Sequence, residues 1–254
     1  MNTLFLSDLH LGAKYVNDKR AHEKAICDFL LGCYKEVNHI YLLGDILDYW
    51  YEYRHVVPRG FVRFLGTIAF LSDNGVKITW LTGNHDIWLF DYLSNELNIE
   101  VVDSPYIERT INGKRFILAH GDRIGHQTPG FKLICSLFRN KFCQTLYSAI
   151  HPRWTIPFAY TWSKSSRNSH CQNNITDNTD TINKITHEAE DFLKKFSKVD
   201  YMIMGHHHIM LNEMLTNPKC QLVVLGECFS QFTYASFNGE TLVIDSFKNL
   251  FDNK

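Results

Sequence analysis

The chain has 254 residues, 45% of them hydrophobic and 21% charged, with 26 basic against 27 acidic side chains. That balance excludes a disordered tail, a collagen-like fibre and a coiled coil, and no apolar run approaches the roughly 20 residues needed to span a bilayer. The N-terminal stretch lacks a basic leader and is interrupted by Asp8, so it does not read as a secretory signal. Seven cysteines, an odd number with no Cys-x-x-Cys, point to reduced cytosolic thiols.

Thr3–Ser7 is a short apolar run that predicts a buried strand ending at Asp8-Leu9-His10. His22, Ile26, Phe29, Leu30, Cys33 and Val37 recur at helical spacing, which predicts a helix over about 20–37. His39–Leu43 predicts a second strand closing on Gly44-Asp45. Phe61, Phe64, Leu65, Ile68 and Leu71 mark a second helix stopped by Asn74-Gly75, and Lys77–Leu81 predicts a third strand ending at Gly83-Asn84-His85-Asp86. This alternation argues for parallel βαβ units and an α/β sandwich.

The rhythm then changes. Tyr106–Ile111 and Lys114–Ala119 flank Asn112-Gly113, a type I′ hairpin signal, and the second run closes on His120-Gly121-Asp122. Residues 168–181, rich in Asn, Ser and Thr, predict a loop. A helix over 182–196 follows, then a strand Asp200–Met204 ending at Gly205-His206-His207-His208, and a short strand at Leu222–Leu225. Thr233–Phe237 and Glu240–Asp245 form a hairpin around Asn238-Gly239.

Residues 125–167 do not fit this pattern. No acidic residue occurs between Asp122 and Asp177, whereas Arg123, Lys132, Arg139, Lys141, Arg153, Lys164 and Arg167 do, leaving 19 basic against 27 acidic side chains elsewhere. Eight aromatics lie between Phe131 and Trp162. The block reads as a helical insertion over the site, its apolar side turned to a pocket or a lipid. The alternative is a packed helical pair whose aromatics are core. Clustered positive charge suits an anionic ligand or membrane surface.

Five predicted strand ends carry the same kinds of side chain: Asp8-Leu9-His10, Gly44-Asp45-Ile46-Leu47-Asp48, Gly83-Asn84-His85-Asp86, His120-Gly121-Asp122 and Gly205-His206-His207-His208. Ligands of open α/β sheets bind beyond the carboxyl ends of the strands, so these loops are expected to converge. Carboxylate, amide oxygen and imidazole together suit Mn, Fe, Co or Zn, and the lack of cysteine argues against a structural zinc cage. Asp8, His10, Asp45, Asn84, His120, His206 and His208 are more ligands than one tetrahedral ion needs. Two ions about 3.5–4 Å apart, sharing one carboxylate, fit the count and suit attack of water on phosphorus. His85 is placed to donate a proton to a leaving oxygen or to stabilise phosphoryl charge, with Asp86 expected to orient it. The alternative is that His85 only hydrogen-bonds its loop.

These motifs resemble the calcineurin-like metallophosphoesterase superfamily, with its pattern D-x-H, G-D-x-x-D, G-N-H-D/E, H-G-D and G-H-x-H. The match runs from Asp8 to His208. The resemblance implies an α/β fold, a four-layer α/β/β/α metallophosphoesterase sandwich with a helical cap insertion, and a single domain over 1–254 with that insertion at about 125–167. It implies two divalent metal ions, Mn2+ being the family expectation. Asp8, His10, Asp45 and His208 would hold one and Asp45, Asn84, His120 and His206 the other, while His207 occupies the variable position.

Within the superfamily, Gly44-Asp45-Ile46-Leu47-Asp48-Tyr49-Trp50 is similar to the second motif of the UDP-2,3-diacylglucosamine hydrolases of lipid A synthesis, which also carry a basic, aromatic cap. That resemblance implies a lipid-linked nucleotide sugar substrate, release of UMP, and peripheral contact with the cytoplasmic face of the inner membrane. Asn84, His85, Ser163, Lys164 and Arg167 are the substrate-binding residues it suggests, and nucleic acid is not expected. The chain has His85 where well-known members have Arg. A soluble phosphoesterase acting on a nucleotide, phosphoprotein or DNA, and a non-catalytic binding module, are the competing readings.

Overall fold

The apolar residues of the first three strands alternate between two destinations, so each strand must be covered on both faces. The computed structural model, which describes residues 1–161 and 178–248, provides that cover. One sheet contains β1 (Asn2–Leu6), β2 (Val37–Leu43), β3 (Lys77–Leu81), β4 (Glu100–Val102), β10 (Thr233–Phe237) and β11 (Leu242–Ser246), in the order β11-β10-β1-β2-β3-β4. Strands β1 to β4 are parallel, and β10 joins β1 antiparallel. The other sheet contains β5 (Ile107–Ile111), β6 (Lys114–Ala119), β7 (Tyr201–Met204), β8 (Leu211–Thr216) and β9 (Lys219–Val224), in the order β5-β6-β7-β9-β8. Here β6, β7 and β9 are parallel.

Leu4, Leu6, Ile40 and Leu42 point to one side, where Ile26, Leu30, Phe64 and Ile68 meet them from α1 (Lys19–Cys33) and α2 (Val62–Asp73). Phe5, Tyr41 and Leu43 point to the other side and pack against Phe116, Leu118, Ile203 and Val223 of the second sheet. The outer face of that sheet, with Ile117, Met202 and Val224, is covered by Ile185, Ala189 and Leu193 of a helix at Asn178–Leu193. The result is the expected α/β/β/α stack.

Most elements fall where the sequence places them. In the first hairpin both Asn112 and Gly113 have positive φ, as a type I′ turn requires. The second has a four-residue connection in which the Asn238 carboxamide accepts the N–H groups of Glu240 and Thr241. Three elements were not expected: β4, β8 and a short helix α3 (Tyr92–Leu97). The predicted loop over 168–181 is corrected at its end, since residues 178–181 form the first turn of the helix Asn178–Leu193; the rest of it lies outside the described residues.

The described part of the block 125–167 is largely helical. It comprises α4 (Pro129–Arg139), α5 (Lys141–Ser148) and α6 (152–161), so that Asn178–Leu193 is α7. The Thr128 hydroxyl caps α4 at the Phe131 N–H, and the Asn140 side chain caps α5. Its aromatics divide between packed and exposed positions. Phe138 and Tyr147 pack on Trp88, and Tyr160 on Tyr49. Leu133, Leu137, Phe142, Leu146, Trp154 and Phe158 are exposed, Trp154 at 70% and Phe142 at 71%.

Candidate metal centre

The five strand-end loops do converge, and their backbones are held in an unusual state. Of nine non-glycine residues with positive φ among the described residues, five are Asp8, His10, Asp45, His206 and His208. Such conformations cost roughly 1–3 kcal/mol each and persist only where the surroundings over-determine them. Two glycines allow the loops to approach closely. A Cβ on Gly83 would collide with Asp45, and one on Gly205 with Ser7 and Asp8.

Asp8 is fully buried. Its Oδ2 accepts from the Ser7 hydroxyl at 2.6 Å and the His206 N–H at 2.9 Å. Its Oδ1 has no hydrogen-bond partner among the described residues and lies 3.3 Å from His208 Nε2 and 3.6 Å from His10 Nε2. Asp45 is central. Its Oδ1 accepts the His85 N–H at 2.9 Å, while its Oδ2 lies 3.5 Å from His120 Nε2 and 3.8 Å from His10 Nε2. It thus reaches both of the expected ligand sets, as a bridging carboxylate must.

His120 shows what the cluster needs. Its Nδ1 sits 2.9 Å from the Leu43 carbonyl, to which it donates. Its Nε2 then faces the Asn84 carboxamide oxygen at 3.1 Å and Asp45 Oδ2, which are both acceptors. With Nε2 deprotonated, three electron pairs would converge on one point that fits a cation; without one, a proton on Nε2 occupies it. Burial alone would lower the His120 pKa, but the Asp45 carboxylate raises it well above the usual range. Burial likewise opposes ionisation of Asp8, yet the His10 and His208 imidazoles hold its carboxyl well below the usual range. These donors, with an orphaned carboxylate oxygen among them, fit divalent metal ions.

Asp8, His10 and His208 form one compact group and Asp45, His120 and His206 another. His207, the residue at the variable position, belongs to no such group among the described residues. A third group was not anticipated: Asp48 with His10 and His85. His85 Nδ1 lies 3.1 Å from the Asp48 carbonyl and 3.7 Å from its carboxylate, leaving Nε2 toward Asp45 at 3.8 Å. Asp48 stood in the second motif, but nothing in its spacing gave it a role. Phe229, which packs edge-on to His10 and His208, was also missed, because it lies in no motif.

The expectation for Asp86 is corrected. Its Oδ1 accepts the N–H of Gly83 at 2.7 Å and of Asp45 at 3.3 Å, and its Oδ2 accepts Ile46 N–H at 3.0 Å and Trp80 Nε1–H at 3.1 Å. It braces the Asp45 loop, and the carboxylate beside His85 is that of Asp48. Burial and the nearby Asp45 push Asp86 up to about 6. Ser163, Lys164 and Arg167 lie outside the described residues.

A mixed-sheet α/β/β/α sandwich with five such loops converging at its strand ends is the arrangement of a metal-dependent phosphoesterase. The calcineurin-like phosphoesterase family model matches residues 1–210, and the chain belongs to that family of hydrolases. The UDP-2,3-diacylglucosamine hydrolase of Porphyromonas gingivalis is 38% identical to it, across 97% of each chain. The protein of the same name from Serratia proteamaculans is 25% identical, across 89% of this chain and 90% of its own. Among solved structures, an archaeal phosphodiesterase is 14% identical with a TM-score of 0.46, covering 96% of this chain and all of that one.

Proposed function

We propose that this chain hydrolyses the diphosphate of UDP-2,3-diacylglucosamine, giving UMP and 2,3-diacylglucosamine 1-phosphate. The observation that carries this reading is the end-to-end match to the Porphyromonas gingivalis protein of that name. The cap adds support. Its exposed apolar side chains suit acyl chains, and it is pinned beside the metal loops by Tyr147 and Tyr160.

In this reading the whole chain is one domain, with the block at about 125–167 as its cap. Asp8, His10, Asp45 and His208 hold one divalent ion and Asp45, Asn84, His120 and His206 the other, Mn2+ at both. When bound, the ions supply Lewis acidity and an activated water for in-line attack on phosphorus. Asn84 and His85 face the phosphoryl group. The His85 ring, held through Nδ1 on the Asp48 carbonyl, turns Nε2 toward the phosphoryl group, where it stabilises charge on the leaving phosphate. Ser163, Lys164 and Arg167 are assigned to the polar head of the substrate by resemblance alone. Since the substrate is a lipid, the protein works peripherally on the cytoplasmic face of the inner membrane. No described helix is long and apolar enough to cross it.

The test is UMP release from UDP-2,3-diacylglucosamine in detergent, with and without Mn2+, for the wild type and Asp45→Ala. Release that needs metal and disappears in the variant is expected. Cleavage of a chromogenic phosphodiester without UMP release would keep the phosphoesterase chemistry and overturn the substrate.

A further inference from the structure

Beside the loop that carries His10 lies a second cavity of about 310 Å3, which the metal centre does not use. Lys19, Arg20, Arg59 and Arg63 form its charged wall, and Phe61 and Tyr160 its aromatic wall. Glu23 is the one acid lining it among the described residues, and its Oε1 is already engaged. It accepts the N–H groups of Arg63 and Phe64 at 3.1 and 3.0 Å and so caps α2. Lys19 Nζ donates to the Gly12 carbonyl at 2.9 Å. The guanidinium groups of Arg20, Arg59 and Arg63 have no hydrogen-bond or ion-pair partner among the described residues.

The backbone holds this arrangement under strain. Phe61 has φ of +61° directly after Gly60 at +112°. A bulky aromatic enters that region only when its surroundings impose it. The turn buries the Phe61 ring beneath the His10 loop, where a Cβ on Gly12 would lie 2.9 Å from it. It also leaves Arg59 and Arg63, which flank Phe61 in sequence, at the same cavity. Planar guanidinium forks match the oxygens of phosphate two at a time. The aromatic wall suits the organic part of an ester better than a bare ion.

We propose that this cavity is a second phosphate-binding site, which takes a phosphate ester whose organic part lies against Phe61 and Tyr160. Two sources share that chemistry. One is an anionic phospholipid headgroup, since Trp154 and Phe158 stand exposed on the helix that carries Tyr160. The other is the phosphate of the hydrolysed substrate itself, and only that source rests on the proposed function above.

The test uses the metal-loaded full chain carrying Arg59→Ala and Arg63→Ala together. Hydrolysis of a small chromogenic phosphodiester reports an intact fold and metal centre and should be unchanged. Binding is then read in two ways: co-sedimentation with phosphatidylcholine vesicles containing phosphatidylglycerol, against phosphatidylcholine alone, and KM for UDP-2,3-diacylglucosamine in neutral detergent. Charge-assisted hydrogen bonds of ordinary strength predict a weakening of roughly tenfold or more. Loss of vesicle binding alone identifies the headgroup, and a raised KM alone identifies the substrate. Wild-type behaviour in both readouts overturns the site. So does an equal loss in a Lys198→Ala, Lys219→Ala control, which removes the same charge elsewhere. If the wild type releases no UMP, the substrate reading falls and the vesicle readout still decides the cavity.

Discussion

Asp86 holds Ile46: the carboxylate of one, fully buried, accepts the backbone N–H of the other at 3.0 Å across 40 residues of sequence. The same carboxylate holds Gly83 and Trp80, so the loops after β2 and β3 are fastened by one side chain before any ion is considered. Both of its oxygens accept N–H groups. In Asp86→Asn the new amide must therefore face at least two donors, whichever way it turns. Loss of such a support costs about 10–100-fold in metal affinity or activity. Metal content by mass spectrometry and Tm should both fall, and unchanged metal content would remove the bracing role.

His85→Gln should retain metal and fold but lower kcat by roughly 10²-fold or more, the usual contribution of a positioned proton donor or charge stabiliser. Asp48→Asn should cost less. The Asp48 carbonyl that receives His85 Nδ1 is backbone and survives the substitution. Equal loss in the two variants would place the chemistry on Asp48 rather than on the imidazole.

Helix α5 is fastened to the loop after β2 by tyrosines. The Tyr49 and Tyr147 hydroxyls meet at 3.0 Å, the Tyr51 hydroxyl donates to the Gln144 carbonyl at 2.7 Å, and Trp88 Nε1 donates to the Phe138 carbonyl at 2.9 Å. Tyr147→Ala removes a ring that packs on both Tyr51 and Trp88. Aromatic pairs of this kind contribute about 0.5–1.5 kcal/mol each beyond burial. The expected result is a raised KM for the diacylated substrate with unchanged turnover of a small phosphodiester. A parallel fall in both would mean that the ring supports the metal loops instead.

Away from the site, His39 is expected to set part of the acid sensitivity. Burial is the main cause that takes it from the ordinary 6.5 down to about 4; Glu100 opposes the shift, and Lys77 and Arg109 add to it. The Thr79 hydroxyl donates to Glu100 at 2.7 Å, so His39 Nε2–H donates to Thr79 and the ring is neutral. In the window between about 4 and 6.5 the unfolded chain binds this proton and the folded protein does not. Stability therefore falls as pH drops through that window and is fully regained above it. His39→Gln keeps the donor and removes the titration, so its Tm should fall less steeply from pH 6.5 to 4. Superimposable profiles would assign the sensitivity to other groups.

The motifs were legible because each is a short contiguous peptide at the end of a buried strand, where one residue type can be tied to one position. The strand pairs around Asn112-Gly113 and Asn238-Gly239 were legible for a similar local reason. β8 was not. It is an edge strand whose Asn212 and Met214 face solvent, so its alternation is weak. β4 has three residues and α3 has six, too few to establish a period. The role of Asp86 was misread because it is adjacent to His85. Neighbours in a tight loop can point opposite ways, here one toward the Asp45 carboxylate and one into the wall behind it. The two faces of the cap were hidden because Asn140 and Pro152 restart the helical phase twice within the block.

Asp8, His10, Asp45, Asn84 and His85 follow strands of one sheet, whereas His120, His206 and His208 follow strands of the other. Each expected ion would take ligands from both. Neither half of the molecule can hold an ion in full coordination by itself, although each can close its own hydrogen-bonded ladder. During refolding, metal capture is therefore a clock for the docking of one half onto the other, not for the formation of either. A chain stalled before that step would carry its secondary structure and lack a complete ligand set for either ion.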